Sequence, residues 1–522
     1  QGTARVPPNG LLPKRTSMDF DDLDDAEDEA CGADGPARKM PEWKSIDVPE
    51  FDFSEMKSRA QHNLPGDYYG LPFPHDKEQI LSSQWGATWL TNAFCKSGVL
   101  PVDNEVSELV SIKDVTSQVS GGAGLKFVLK VQYKTEKAYL HKDLFVKLPH
   151  KPGGSDRYYV SCMWRHDRPE TIFNIWLAPY VPFRVPKFYF GDINKDTTNF
   201  ILITETVQFA KKGTKEFNPG DIEPAYDKFW DWELPDSGPM YYLACCKELG
   251  KMAAYHKTGK LHPQVNEMFP MPAECWEIPG GVPGVDPESR KMNVAKADSL
   301  VKFLSETAKA VFPEEITDKA FLEEWKQQIM HVMDYESEIH CFCSGARTAS
   351  PNDYVCLTHN NLQIDNAFFW HNDANELEVG MLDWGALSCG PFICAIQGGC
   401  ISGSQVEVYL EHRDAFLQAA IDSYEANGGP KLDLDRLRRM CNLQVANWAC
   451  GDIRNVTAVL KDTKAAEWAT IKDWMDDKLM KRFYVRAHCT QFKYSLQLWQ
   501  KLDIYGEFKR WLEDMGLPEK KY

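Results

Sequence analysis

The hydrophobic period of the chain changes near residue 210, and this change limits the folds open to it. Upstream, Leu125, Phe127, Leu129, Val131 and Tyr133 alternate with mostly polar residues, the period-two signature of a half-buried strand. "VSELVSIKDV" before the glycines and "AYLHKDLFVKLP" after a short charged turn extend this into an antiparallel meander of three strands. "RPETIFNIWLAPYVP" then reads as a helix, with Pro169 in its first turn and Ile172, Phe173, Trp176 and Leu177 on one side. "VPKFYFGDINKDTTNFILITETV" reads as two strands around a Gly-Asp and Asn-rich turn. Downstream the period becomes helical, from "PMYYLACCKELGKMAAYHKTG" to "QFKYSLQLWQKLDIYGEFKRWLEDMG". The exception is Tyr354 to Gly385, where two strand-like runs flank polar loops. The predicted class is α+β, a small antiparallel β-rich part followed by a larger helical part.

A chain of 522 residues exceeds the usual size of one core, so two lobes are expected. Helical spacing of Leu81, Trp85, Trp89, Leu90 and Phe94, with Gly98 as a stop, places the first folded element after residue 70. The expected division is a disordered acidic leader over 1–60, a β-rich lobe over 70–207 and a helical lobe over 208–522. Within the leader, Asp19 to Glu29 holds eight acids and no base, nearly half of the net charge of −17. Such a tract cannot bury enough apolar area to fold; it serves solubility or docks a protein partner. The remainder is still acidic, which argues against binding nucleic acid and favours a cationic or neutral small molecule. No apolar run is long enough to cross a bilayer. Fifteen cysteines without a C-x-x-C pair suit a reducing, cytoplasmic setting, and "HCFC", His340 to Cys343, reads as packed thiols rather than a metal site.

Phosphoryl transfer needs a backbone cradle for phosphates, a lysine, a carboxylate on metal, a second metal ligand and a base. Four of these have candidates. "SGGAG" places Gly121, Gly122 and Gly124 between two strands, where a tight hairpin is the commoner use of such glycines. Lys147 ends the apolar run "LFVK", and Glu170 begins the following helix, from which it can anchor that lysine. Asn366 and Asp383 flank a hairpin and supply the two oxygen ligands that suit Mg²⁺. His359 lies seven residues before Asn366, where bracing the loop is its expected part.

"H-N-N-L-Q-I-D-N" followed by "LDWG" resembles the His-x-Asp-x-x-x-x-Asn and Asp-Phe/Trp-Gly motifs of the aminoglycoside phosphotransferase, choline kinase and ecdysteroid-kinase-like superfamily. "WGATWLTNAFCKSGVLP", "PETIFNIWLAPYVPFRVPKFYFGD" and "LACCKELGKMAAYHKTG" resemble segments of that family in its order, over roughly residues 75 to 400. The resemblance implies a two-lobed protein-kinase-like fold, ATP and Mg²⁺ bound between the lobes, and transfer of a phosphoryl group to a hydroxyl of a small molecule. It implies that Lys147 contacts phosphates, that Glu170 holds Lys147, that Asn366 and Asp383 bind the metal, and that Glu205 in "FILITETV" belongs to a hinge facing adenine. The family's catalytic Asp is Asn361 here, and an amide accepts no proton. Asp365 is the nearby carboxylate. Two readings stay open: a phosphotransferase impaired at its base, and a pseudokinase that binds nucleotide or metabolite and acts through partners.

Overall fold

Five strands form where the period-two pattern lies: β1 (Val106–Asp114), β2 (Gly124–Tyr133), β3 (Asp143–Pro149), β4 (Phe188–Ile193) and β5 (Phe200–Glu205). They make one antiparallel sheet in the order β1-β2-β3-β5-β4. The structure is a computed structural model that describes residues 36–47, 52–116, 124–152, 167–228, 233–272, 278 and 283–520. Cross-strand partners share a face of an antiparallel pair, so the β2–β3 register sorts the sheet into two sides. Phe127 opposite Val146 and Leu129 opposite Leu144 are buried in the core. Lys126 opposite Lys147 and Val128 opposite Phe145 lie on the other side.

The Gly191-Asp192 pair is not in the turn that the sequence suggested. Both residues lie within β4, because the Asp192 carboxylate accepts the backbone N–H groups of Tyr68, Tyr69 and Ile193 at 2.8–2.9 Å. Asn194 makes the turn instead, its side-chain oxygen accepting from the backbone N–H of Asp196 and Thr197.

The segment expected as a leader over 1–60 is described from residue 36 on. Residues 1–35, with the acidic tract, lie outside the described residues, but part of 36–60 packs into the fold. Trp43 stands edge-on to Trp176 at 5.1 Å, and Trp176 Nε1 donates to Pro41 O at 2.9 Å. Helix α1 (Phe53–Arg59), capped by Asp52, buries Met56. The Trp43 anchor and the buried Met56 offset the polar composition that predicted disorder.

Helix α2 (Gly86–Lys96) packs against β4 through Trp89 on Phe190 and Phe94 on Tyr189. Helix α3 (Asp167–Ile172) carries Glu170 and runs into a π-helical turn, Phe173–Leu177, whose five side chains are buried. The helical part holds α4 (Pro239–Thr258), α5 (Pro287–Lys302), α6 (Lys319–Met333), α7 (Glu336–Cys343), α8 (Phe392–Gln397), α9 (Val406–Ala426), α10 (Leu434–Asp462), α11 (Phe483–Lys501) and α12 (Ile504–Met515). Helices α4 and α9 cross closely at Gly250, where a Cβ would come 2.3 Å from Ala420 O. Inserted among these helices are two short antiparallel pairs, β6 (Val355–His359) with β9 (Leu387–Pro391) and β7 (Ala367–His371) with β8 (Leu377–Met381). Cys341 and Cys343 are buried in α7. No helix among the described residues is long and apolar enough to cross a membrane.

Candidate functional site

Lys147, Glu170 and Asp383 come from three separate elements and meet at one ammonium group. Lys147 Nζ lies 2.6 and 2.9 Å from the two Glu170 carboxylate oxygens and 3.1 Å from Asp383 Oδ1. Both Lys147 and Glu170 are 8% exposed. An ammonium has three N–H donors, and these three contacts engage them all. Burial alone would lower the Lys147 ammonium, but Asp383 and Glu170 outweigh it and hold it above its ordinary value. Burial would likewise raise the Asp383 carboxyl; Lys147 first and Lys126 second reverse this and hold it well below the usual carboxylate range. Asp383 is thus an anion at neutral pH.

Backbone geometry and stacking fix Asp383 in place. Its φ of +58° lies in the left-handed region, which Asp tolerates better than most residues. The next residue, Trp384, stacks on Phe173 at 3.6 Å and 11°, three residues after Glu170. One indole therefore ties the loop that carries Asp383 to the helix that carries Glu170.

The adjoining loop, between β6 and β7, is organised by His359. Its Nε2 donates to Leu382 O at 2.7 Å and its Nδ1 accepts the Asn361 backbone N–H at 3.2 Å, which assigns the neutral tautomer. Complete burial holds the imidazole below its ordinary pKa. With both nitrogens engaged, His359 braces the loop and has no lone pair left for proton transfer. Asn366 Nδ2 donates to Asn361 O at 2.7 Å, which leaves its amide oxygen as the acceptor for a cation. Asn361 is therefore pinned at both its N–H and its C=O, while its side chain makes no hydrogen bond to a described residue. The neighbouring Asn360 amide is taken up inside the fold, donating to Ser388 Oγ at 2.9 Å and Ala386 O at 3.2 Å.

Other sequence candidates are placed differently. Asp365 Oδ2 faces Lys228 Nζ at 3.6 Å, and burial raises the carboxyl against the pull of that lysine. Asp227, next to Lys228, pairs with the buried Arg486 of α11 at 3.1 Å, so Asp365 belongs to a charge network reaching into the helical part. Glu205 turns its carboxylate to His141 Nε2 at 3.0 Å and Arg184 at 3.8 Å. Gly121 and Gly122 lie outside the described residues. Gly124 opens β2, where a Cβ would come 2.5 Å from Leu148 O; close strand approach explains this glycine. On α10, Asp452 is wholly buried and driven strongly toward its neutral form by burial. Trp448 is half-buried beside Gly398, next to Gly399, which abuts the Asn360 backbone.

Sequence reasoning missed Lys126. It is 2% exposed and lies directly across β2–β3 from Lys147. The Val128–Phe145 pair, half-buried, continues the same side of the sheet as an apolar strip. Among the described residues, no three His, Cys, Asp or Glu side chains gather to hold a metal.

No family model and no curated protein matches the sequence. Solved structures with a similar chain course include a choline kinase from Cryptosporidium parvum Iowa II, at 14% identity over 77% of this chain and 93% of that one, with a TM-score of 0.38. The GDP complex of wild-type aminoglycoside 2'-phosphotransferase-IIIa matches at 12% identity over 75% and 94%, with a TM-score of 0.36. A microcompartment-associated aminopropanol kinase matches at 11% identity over 76% and 94%, with a TM-score of 0.31. At these identities the likeness is one of chain course, and function has to be argued from the side chains.

Proposed function

We propose that this chain binds a Mg²⁺-nucleotide, ATP as the working assignment, and transfers its terminal phosphoryl group to a hydroxyl of a small molecule. The observation that carries this reading is the convergence of Lys147, Glu170 and Asp383 on one buried centre. Burying Lys147 and Glu170 beside a half-buried Asp383 is costly, and replacing such groups with apolar ones is often neutral or stabilising. A functional demand for charge at this point accounts for their presence.

The donor set fits the group it would hold. Asp383, ionised and 28% exposed, and the amide oxygen of Asn366 are the hard oxygen ligands that Mg²⁺ takes beside phosphate and water. Asp383 and Asn366 would hold the metal, which would supply positive charge against the negative charge that develops in transfer. Lys147 orients the phosphates, Glu170 fixes Lys147, and the Val128–Phe145 strip offers an apolar surface to the base. His359 holds the Asn361 main chain at a set position. The Asn361 amide orients the acceptor hydroxyl by hydrogen bonding, which suits a loose transition state where proton removal is late. The absence of a carboxylate at position 361 favours a second reading, a nucleotide-binding protein that acts through partners.

Calorimetric titration with Mg-ATP, followed by phosphotransfer to a panel of hydroxyl-bearing metabolites, separates the two. Asp383→Asn keeps the left-handed conformation accessible and removes the charge; Mg²⁺-dependent affinity should fall by about a hundredfold. Unchanged affinity in this variant removes the metal assignment, and binding without transfer to any acceptor leaves the second reading.

A further inference from the structure

We propose that Asn174 is a positioning residue of this site, through which a strap of residues 36–47 sets the place of Glu170. The inference rests on the nucleotide-binding reading and deepens it: that reading makes Glu170 the anchor of Lys147, and Asn174 fixes the anchor. The strap grips the segment of Glu170 on both sides of it. Arg168 Nη1, before Glu170, donates to Ile46 O at 3.2 Å, and after it Asn174 O accepts from Arg38. Trp176 Nε1 adds a bond to Pro41 O at 2.9 Å, and Trp43 stands edge-on to the same indole at 5.1 Å. The strap is held from its other side too. The Arg38 guanidinium lies over the Phe188 ring of β4 at 4.1 Å, and the Lys39 N–H donates to Ser97 O, just past α2, at 2.8 Å. Gly98 makes room for this passage, since a Cβ there would come 2.7 Å from Lys39 N. The strap therefore ties the sheet that carries Lys147 to the helix that carries Glu170.

Asn174 is the link between strap and Glu170. It is the one polar residue of the π-helical turn Phe173–Leu177 and is 5% exposed. Burying an amide costs free energy unless it is hydrogen-bonded, and an apolar side chain would fill the position without that cost. Its Nδ2 donates to Glu170 O at 2.9 Å, while its own carbonyl accepts from Arg38. Hydrogen bonds thus run from the strap through Asn174 to the main chain of Glu170, whose carboxylate takes two of the contacts of Lys147 Nζ. π-Helical turns are rare and recur at functional sites. Here the same turn carries Phe173, stacked on Trp384 beside Asp383, so both acids around Lys147 are set from one turn.

Variants of the full chain, titrated with Mg-ATP and with adenosine, test this. Asn174→Ala removes the bond to Glu170 O and leaves its own carbonyl to Arg38. Mg-ATP affinity should fall by about tenfold, because Lys147 serves the phosphates, and adenosine affinity should hold. Asn174→Ser, whose hydroxyl can donate to the carbonyl four residues back, should recover most of the loss. Arg38→Met should weaken Mg-ATP in the same sense, and combined with Asn174→Ala it should cost less than the sum of the two losses. Equal loss of ATP and adenosine affinity, no loss of either, or no recovery with serine overturns the proposal, and additive losses overturn the route from strap to Glu170 through Asn174. Should Asn174→Ala fail to fold, Arg38→Met read with the same two ligands decides: selective loss of Mg-ATP supports the proposal, and any other result overturns it. Failure of the wild-type chain to bind any nucleotide overturns the nucleotide reading and this proposal together, whereas wild-type binding with an indifferent Asn174→Ala removes this proposal alone.

Discussion

Lys147, Glu170 and Asp383 build one part of the site from buried charge, whereas His359, Asn360, Asn361 and Asn366 build the adjoining loop from neutral donors and acceptors. The charged part pays a desolvation cost that its own pairs only partly offset. The loop avoids that cost, since each hydrogen bond joins two neutral groups. An amide at position 361 therefore fits its surroundings, and what it lacks is a proton acceptor. On the proposed function, phosphate and metal handling would be separable from proton handling: the charged part serves the first, and the loop reduces the second to orientation.

The largest effect should follow from breaking the charged part. Glu170→Ala leaves Lys147 with two unmet donors in a buried setting, and should cost about 3–5 kcal/mol of stability by chemical denaturation. Asn366→Ala, on the neutral loop, removes one hydrogen bond to Asn361 O and should cost only about 1 kcal/mol. Equal costs would mean that the two parts are not held by different means.

Acid should act on the neutral side. His256, at the end of α4, accepts the Leu357 backbone N–H of β6 through Nδ1, and burial lowers its pKa to about 4. Its folded pKa is below that of the unfolded chain, near 6.5, so the unfolded state binds more protons between the two values. Stability that is full above pH 6.5 should fall as the pH drops toward 4, by up to about 3 kcal/mol from this residue. His359, also held low by burial, adds to the trend in the same direction. Denaturant midpoints measured from pH 7.5 to 4.5 check this, and a flat profile would show that the imidazoles are not held neutral. The Lys147–Asp383 pair keeps its charge across this range, because the Asp383 carboxyl titrates below it.

Returning a carboxylate to the neutral loop sharpens the comparison further. Asn361→Asp changes little in volume, and general-base help at a site otherwise assembled should raise phosphotransfer by roughly a hundredfold. Brisk wild-type turnover with no gain in the variant would show that orientation alone suffices.

How much of this was readable beforehand follows the same division. Lys147 and Glu170 stood out because a lysine ending an apolar strand and an acid opening a helix are both out of keeping with their elements, and Asn366 and Asp383 because a hairpin carries them. Lys126 did not, since a lysine on the polar phase of an alternating strand is read as solvated, and strand periodicity does not encode the burial that the fold gives it. The side chain of Glu205 was equally illegible, as its partner His141 belongs to a turn far upstream. The Gly-Asp pair of β4 misled because turn propensity outweighed the three N–H groups that Asp192 gathers from distant and adjacent backbone.

The smallest predicted effect concerns the stretch whose composition concealed it most. Residues 36–47 are rich in charge and proline, yet they run alongside the segment that holds Glu170: Arg38 donates to Asn174 O, Arg168 donates to Ile46 O at 3.2 Å, and Asn174 Nδ2 donates to Glu170 O at 2.9 Å. Trp43 anchors this strap between Trp176 and Tyr68. The charged part is thus held partly from outside, by a strap distant in sequence, while the neutral loop holds itself. Trp43→Ala removes a half-buried edge-on aromatic pair and should lower stability by about 1 kcal/mol, a shift of about 1 °C in Tm for a chain of this length. Because the strap bears on the helix of Glu170 and not on the loop of Asn361, Mg-ATP affinity should weaken in step with Tm, and the gain from Asn361→Asp should persist unchanged in the double variant. Coupling between Trp43 and Asn361 in that double-mutant cycle would show that the two parts of the site are not independent.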